Sequence, residues 1–292
     1  MYELIRAGER SYYIECPAKI GVYLAGEGGI YLIDSGNDKD AGRKVRQILE
    51  RNLWKLLGIV NTHSNADHIG GNQYLQRQTG CRVFAAGTEA EFTRNPLLEP
   101  SFLFGGCPPK ALRHKFLMAQ PSGAEDVTAE GFPAELEIIP LPGHFFDMIG
   151  IKTPDGTAFI ADCLSSEATL GKYGFPFIYD VAAYLDTLER VKALDAELFV
   201  PAHAPATGDI GPLADINRDH VLALGEFVLG LCGEPSCFED ILKRSFDQYG
   251  LTLDFQQYVL VGSTLRSILA WHLDAGRCEA LFCDNRLLWH KL

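Results

Sequence analysis

The sequence predicts an α/β protein, a sheet with helices packed on it, and three observations carry that expectation. Short β-type runs open the chain. Helical stretches then alternate with apolar strand-like runs, and the residues able to do chemistry fall just past the ends of those runs. At 292 residues the chain is long enough for one large domain, or one domain with a small appendage, and either buries a substantial core.

The runs "YYIEC", "KIGVYLAGE" and "IYLIDSG" combine alternation with β-branched residues, which predicts antiparallel strands joined by tight turns, the second at "GEGG". "DAGRKVRQILERNLW" has helical spacing, with Val45, Ile48, Leu49 and Leu53 on one face. The strand "LLGIV", the helix-like "GGNQYLQRQTG" and the strand "CRVFAA" follow. From Thr88 to about Pro133 the pattern breaks down into "NPLLEPSFLFGGCPPKALRHKFLMAQPSG". A long stretch rich in proline, glycine and aromatics reads as a functional loop or lid; the plainer alternative is a loop that only packs over the surface. Regularity returns with "ELEIIPLPGH" and "MIGIKTPDGTAFIADC" as strands, the helix "DVAAYLDTLERVKALDA" and the strand "ELFVPAH".

Beyond Thr207 the composition turns helical. "ADINRDHVLALGEFVLGLC" and "CFEDILKRSFDQYG" each predict a helix, and "FQQYVLVGSTLRSILAWHLDAG" one or two more. "CEALFCDNRLLWHKL" predicts two short β runs around Asp284 and Asn285.

The formal net charge of −12 argues against a general binder of nucleic acid or anionic membrane, because such partners present phosphate charge. A small-molecule partner is expected instead. The opening "MYELIRAGERSYYIEC" has neither a basic lead nor a sustained apolar stretch, and no run approaches the roughly 20 apolar residues that cross a bilayer. The eight cysteines are scattered without a Cys-x-x-Cys pair, so neither a disulfide framework nor a thiolate zinc cage is indicated, and a reduced cytoplasmic protein is the expectation.

The chemistry sits at strand ends. Of eight histidines, four occupy such positions: His63 and His68 after "LLGIV", His144 after "LEIIPLPG", and His203 after "ELFVPA". Asp67 lies in the first cluster and Asp162 closes "TAFIAD". Taken singly, His144 or His203 reads as structural, and Asp162 as a turn cap. Taken together, imidazoles and carboxylates at equivalent strand ends suit zinc, iron or manganese, in an open site that keeps a position for water. Asn65, between His63 and Asp67, raises the question of whether it belongs to the set.

"THSNADHIGG", "LPGHFFDMIGI", "FIADC" and "VPAH", preceded by "LIDSG", resemble the five ordered motifs of the metallo-β-lactamase superfamily, whose first metal motif reads His-x-His-x-Asp-His. The resemblance runs from about Val22 to about Ala206. It implies an αββα sandwich, two mixed sheets face to face with helices outside, and a site for two metals at one edge. It assigns His63 and His144 to a first metal, Asp67, His68 and His203 to a second, and Asp162 to a bridge between them. Asp34 of "LIDSG" becomes an outer residue that orients the metal-binding loop. Zinc is the expected cofactor, one or two ions, with iron or manganese as alternatives.

Two departures from the family pattern stand out. Asn65 occupies the place of the second histidine, and "HFFD" replaces His-Thr-Pro-Gly after the third motif, setting Phe145 and Phe146 beside His144. An amide oxygen is a weaker partner for zinc than an imidazole, though hard cations tolerate it, so the second metal position is expected to be the better filled. Hydrolysis through metal-activated water is the implied activity, with Asp67 orienting the water or taking its proton. The expected substrate is a small ester, thioester or lactone. Alternatives are a phosphodiesterase or nuclease of the same superfamily, and a non-catalytic metal- or ligand-binding protein in which Asn65 marks a degenerate site. Tyr173, Tyr179, His114 and Lys115 are weaker candidates for substrate contacts, and Cys163 is expected to be buried away from the metals.

The expected division is a metal-binding domain over 1–210, with its lid or insert at 88–133, and a helical, winged-helix-like appendage over 211–292. Basic residues of the appendage such as Lys243, Arg244 and Arg266 are matched by Glu239, Asp240 and Asp247, which argues for a structural or dimerising role over nucleic-acid binding.

Overall fold

Two sheets packed face to face organise the chain, which a computed structural model describes over residues 2–292. The first is seven-stranded, in chain order across the sheet: β1 (Glu3–Arg6), β2 (Ser11–Glu15), β3 (Ile20–Gly26), β4 (Gly29–Ile33), β5 (Lys55–Val60), β6 (Arg82–Ala85) and β7 (Glu125–Asp126). Strands β1 to β4 pair antiparallel through tight turns, and β4 to β7 run parallel. Parallel pairing needs crossovers, and these are helical. Helix α1 (Lys39–Arg51) joins β4 to β5, while α2 (Ala66–Ile69) and α3 (Asn72–Thr79) join β5 to β6. Asp38 caps α1 by accepting from the amides of Asp40 and Ala41, both at 2.9 Å.

Between β6 and β7 lie α4 (Gly87–Arg94) and α5 (Leu98–Phe104). The second sheet holds β8 (Glu137–Pro140), β9 (Ile149–Lys152), β10 (Thr157–Phe159) and β11 (Leu198–Val200) in the order β11-β10-β9-β8. Between β10 and β11 come α6 (Glu167–Tyr173) and α7 (Val181–Lys192). The chain ends with α8 (Gly211–Leu231), α9 (Phe238–Tyr249), α10 (Phe255–Asp274) and the hairpin β12 (Cys278–Cys283) and β13 (Arg286–Lys291). Asp284 and Asn285 turn that hairpin with φ of 49° and 59°, the left-handed pair a two-residue turn requires.

Three apolar clusters define four layers. Tyr23, Ile33, Val60 and Phe84 of the first sheet meet Ile151 and Phe159 of the second. Val45, Ile48 and Leu75 cover the outer face of the first sheet. The outer face of the second, through Ile139 and Ile160, packs on Leu188 of α7, Leu224 of α8 and Leu269 of α10. The αββα sandwich is therefore present. Helices from Gly211 onward share one continuous buried cluster with the second sheet.

Some local expectations change. Leu53, placed on the buried face of α1, lies beyond the helix end with φ of 57° and is 89% exposed, because the helix stops at Arg51. Segment 88–133 is more regular than its composition indicates. Neither α4 nor α5 has a side-chain N-cap, so neither shows the usual start signal. The segment is pinned down where Leu103, Leu112 and Leu117 pack on Val259 of α10. Strand β1 and helix α6 are additions that the periodicity does not mark.

Glycines in two of the motifs are explained by close backbone approach. A Cβ on Gly71 meets the Ser35 carbonyl oxygen at 2.3 Å, and one on Gly143, where φ is +122°, meets the Tyr184 amide nitrogen at 2.3 Å. Both contacts are with backbone, which cannot step aside. Gly143→Ala is expected to lower stability by about 2 kcal/mol or more, read as a shifted denaturant midpoint. An unchanged midpoint contradicts this close packing.

Candidate metal centre

The strand ends deliver the predicted residues to one edge of the sandwich. Asp34 follows β4, His63 to His68 follow β5, His144 follows β8, Asp162 follows β10 and His203 follows β11. Because β4 and β5 run parallel, as do β10 and β11, their carboxyl ends open on the same side within each sheet.

Every histidine of the set has its Nδ1 side committed. Nδ1 of His68 lies 2.8 Å from Asp34 Oδ2, that of His144 2.9 Å from the Phe177 carbonyl, and that of His203 2.9 Å from the Pro17 carbonyl. Nδ1 of His63 donates to Thr62 Oγ1 at 3.0 Å, and that hydroxyl in turn donates to Asp34 Oδ2 at 2.7 Å. Carbonyl and carboxylate partners only accept, so each Nδ1 carries a proton and the Nε2 of each ring is the nitrogen left to face the centre, a lone pair whenever the ring is neutral. Asp34 also accepts from the Thr62 amide at 2.8 Å, and its own φ of 65° shows backbone held in a left-handed conformation to make these contacts.

The free ends converge. Asp67, His68, Asp162 and His203 offer ligand atoms all within 4.8 Å of one another, and so do His63, His144 and Asp162. Asp162 belongs to both groups: Oδ1 is 3.2 Å from His68 Nε2, and Oδ2 is 3.2 Å from His203 Nε2 and 3.7 Å from His144 Nε2. His63 Nε2, His68 Nε2 and Asp162 Oδ1 are nevertheless buried without a hydrogen-bond partner. Imidazole nitrogens and a carboxylate oxygen buried around a shared space without a well-formed hydrogen bond fit a cation there, and they are costly otherwise. Two divalent ions sharing Asp162 fit this donor set.

Charge accounts for the titration behaviour. Burial opposes ionisation of Asp162, but His203 and His68 outweigh it and hold its carboxyl well below the usual range. Asp162 in turn raises His203 to about 10. For His68, burial works against the charged form, and Asp162, Asp67 and Asp34 together overturn it, leaving the pKa well above the ordinary value. His63, buried beside His68, is pushed well below. The carboxylates thus favour positive charge where the second ligand group sits.

Sequence reasoning missed two buried carboxylates, both inside the segment read as a lid. Glu89 accepts from the Ser64 amide at 2.9 Å, the Ser64 hydroxyl at 2.6 Å and the Asp147 amide at 2.9 Å, tying the "THSNADH" and "HFFD" loops together. Burial raises its pKa to about 7. Glu99 of α5 accepts from Asn65 Nδ2 at 3.0 Å. A glutamate in an apparently irregular segment gives no local sign of burial.

The weaker candidates separate. Tyr179 stacks on Phe146 at a ring distance of 4.1 Å and lines a cavity of about 670 Å³ with Phe102, Arg266 and Trp271. Tyr173 is half-exposed at the end of α6, its hydroxyl facing Lys172. Lys115 pairs with Asp38, and His114 packs edge-on to Phe116. Neither Tyr173, His114 nor Lys115 joins the ligand groups. Cys163 is fully buried, as expected, and burial holds its thiol protonated. All eight cysteines are free, and no helix among the described residues is long and apolar enough to cross a membrane.

Comparison with known proteins bears on the fold and the family. The chain is 24% identical over 188 residues to the "Beta-lactamase-like protein 2 homolog" of Drosophila melanogaster, covering 62% of this chain and 57% of that protein. It is 30% identical over 198 residues to a hydroxyacylglutathione hydrolase of Rhodobacter capsulatus, covering 66% of this chain and 67% of the relative. The chain thus spans less than two thirds of the first relative and about two thirds of the second. Among solved structures, a beta-lactamase domain protein from Burkholderia ambifaria superposes with a TM-score of 0.72 at 16% identity, over 99% of this chain and 94% of that one. A metallo-beta-lactamase family protein from Thermus thermophilus gives 0.72 at 18% identity, over 97% and 99%, so both share the C-terminal helical region as well as the sandwich. The family model of the metallo-beta-lactamase superfamily matches residues 17–203, from just before β3 to the last candidate ligand. On this match the chain belongs to the metallo-beta-lactamase superfamily.

Proposed function

We propose that the protein is a metal-dependent hydrolase of a small acyl substrate, an ester, thioester or lactone, with a thioester favoured. The observation that carries this reading is the pair of ligand groups sharing Asp162, with Asp67 alone of the carboxylates substantially open to solvent, its side chain 43% exposed. Divalent cations held there, zinc or alternatively iron or manganese, supply Lewis acidity toward the substrate carbonyl and acidify water from about 15.7 towards 7.

The chain's own residues do the rest. Asp67, with Oδ2 at 3.3 Å from His203 Nε2, is placed to orient the attacking water and to take its proton. Phe102, Phe146 and Tyr179 pack into an aromatic cluster, with Phe146 two residues along the chain from His144, and Phe102 and Tyr179 also line a cavity of about 670 Å³ that none of the candidate ligands lines. Of the titratable groups around the centre, the four histidines and Asp162 are committed to holding cations and Asp67 to the attacking water. A leaving group that needs no proton suits such a site, and a thiol, with a pKa near 8.5, departs as the thiolate where an alkoxide would require an acid. The relationship to a hydroxyacylglutathione hydrolase supports the same choice.

Purified protein assayed for metal and against thioesters, esters, lactones and phosphodiesters should act on an acyl substrate. Asp67→Asn should lower kcat/KM on it by roughly 10²–10⁴-fold. Metal-replete protein that cleaves only phosphodiesters, or nothing in the panel, overturns the assignment.

A further inference from the structure

Asn65 makes two contacts that pull in opposite directions. Its Nδ2 donates to Glu99 Oε1 at 3.0 Å, and its Oδ1 lies 3.1 Å from His144 Nε2. His144 has its Nδ1 hydrogen directed at the Phe177 carbonyl, so its Nε2 is a lone pair. A lone pair facing an amide would ordinarily draw the NH₂ group. Here the NH₂ is turned away, because Glu99 presents an acceptor whether or not its carboxyl is ionised. Two acceptors, Asn65 Oδ1 and His144 Nε2, are left face to face.

His63 Nε2, buried without a partner, and Asp162 Oδ2, 3.7 Å from His144 Nε2, complete the surroundings. Two imidazole nitrogens, an amide oxygen and a carboxylate oxygen then have no proton donor among them. A cation relieves that arrangement, and the amide must keep its oxygen inward to serve it.

We propose that Asn65 Oδ1 is a ligand of the first cation position and that Glu99 is the positioning residue that holds the amide in the ligating orientation. This inference rests on the metal-centre reading above. It also links α5 to the metal: Glu99 is 5% exposed, on a helix whose Leu103 packs with Val259 of α10, so the amide is held from a firmly seated element. Outer hydrogen-bond partners of this kind commonly contribute 10–100-fold to metal affinity. An oxygen donor in place of an imidazole further shifts preference toward harder cations than zinc, such as manganese.

The test is a cobalt(II) titration of the full chain after chelator stripping, following d–d absorption and bound stoichiometry, in the wild type, Glu99→Ala, Asn65→Ala, Asn65→His and the Glu99→Ala/Asn65→His double variant. Wild type should bind two equivalents. Glu99→Ala should weaken one of them about 10–100-fold and spare the other. Asn65→His, whose imidazole needs no amide orientation, should restore the weakened equivalent in the Glu99→Ala background, a non-additivity that general damage by Glu99→Ala does not produce. Two tight equivalents in Glu99→Ala, or a loss that Asn65→His fails to rescue, overturns the proposal. A single equivalent in wild type, unaffected by Asn65→Ala, overturns it while leaving the second position and the hydrolase reading intact. No cobalt bound by any variant overturns both.

Discussion

Asp162→Ala is expected to empty both cation positions and to lower kcat/KM on any hydrolysed substrate by about 10³-fold or more, equivalent to several kcal/mol of lost transition-state stabilisation. Asp162 is the one residue common to both ligand groups, and its two oxygens approach three histidine nitrogens at 3.2, 3.2 and 3.7 Å. Its removal also leaves the imidazoles of His68 and His203 without the carboxylate that most favours their positive charge. Metal analysis of the purified variant, beside kinetics with excess cation, checks both halves. Retention of two tightly bound ions contradicts the bridging role.

A second large effect is expected one layer out. Asp34→Asn keeps the shape and tolerates the left-handed backbone at this position, yet it loses the charge and one of two acceptor oxygens. Those oxygens receive three hydrogen bonds, from the Thr62 amide, the Thr62 hydroxyl and the His68 imidazole. An NH₂ placed against any of these donors leaves it buried and unpaired, so stability should fall by about 1–3 kcal/mol. Because Asp34 also fixes the tautomer of His68, and that of His63 through Thr62, metal affinity should drop about 10–100-fold. Thermal unfolding and chelator competition separate the two effects. A loss of stability with unchanged affinity would make Asp34 a fold residue alone.

Much of the fold was legible because its signals are local. Alternation in "KIGVYLAGE" and "IYLIDSG", helical spacing in "DAGRKVRQILER" and the turn pair Asp284 and Asn285 each specify their own element. Where local signals are weak the reading failed. Helices α4 and α5 lack side-chain caps, and Leu53 continues an apolar pattern past the point where its helix has ended.

The candidate ligands follow the same division. Their residue types and their places at strand ends are properties of the sequence, and so is the departure at Asn65. Which atom of each faces inward is decided by partners far along the chain. Asn65 is turned by Glu99, 34 positions away, toward His144, 79 positions away, and His203 is oriented by the Pro17 carbonyl, 186 positions away. Hydrogen-bond direction depends on distance and angle in space, which residue order does not encode when the partners lie on different layers. Residue order was enough to indicate the superfamily, the sandwich and the set of ligand candidates. That Asn65 points its oxygen at His144 emerges in the folded chain, because folding is what brings Glu99 within reach of the amide.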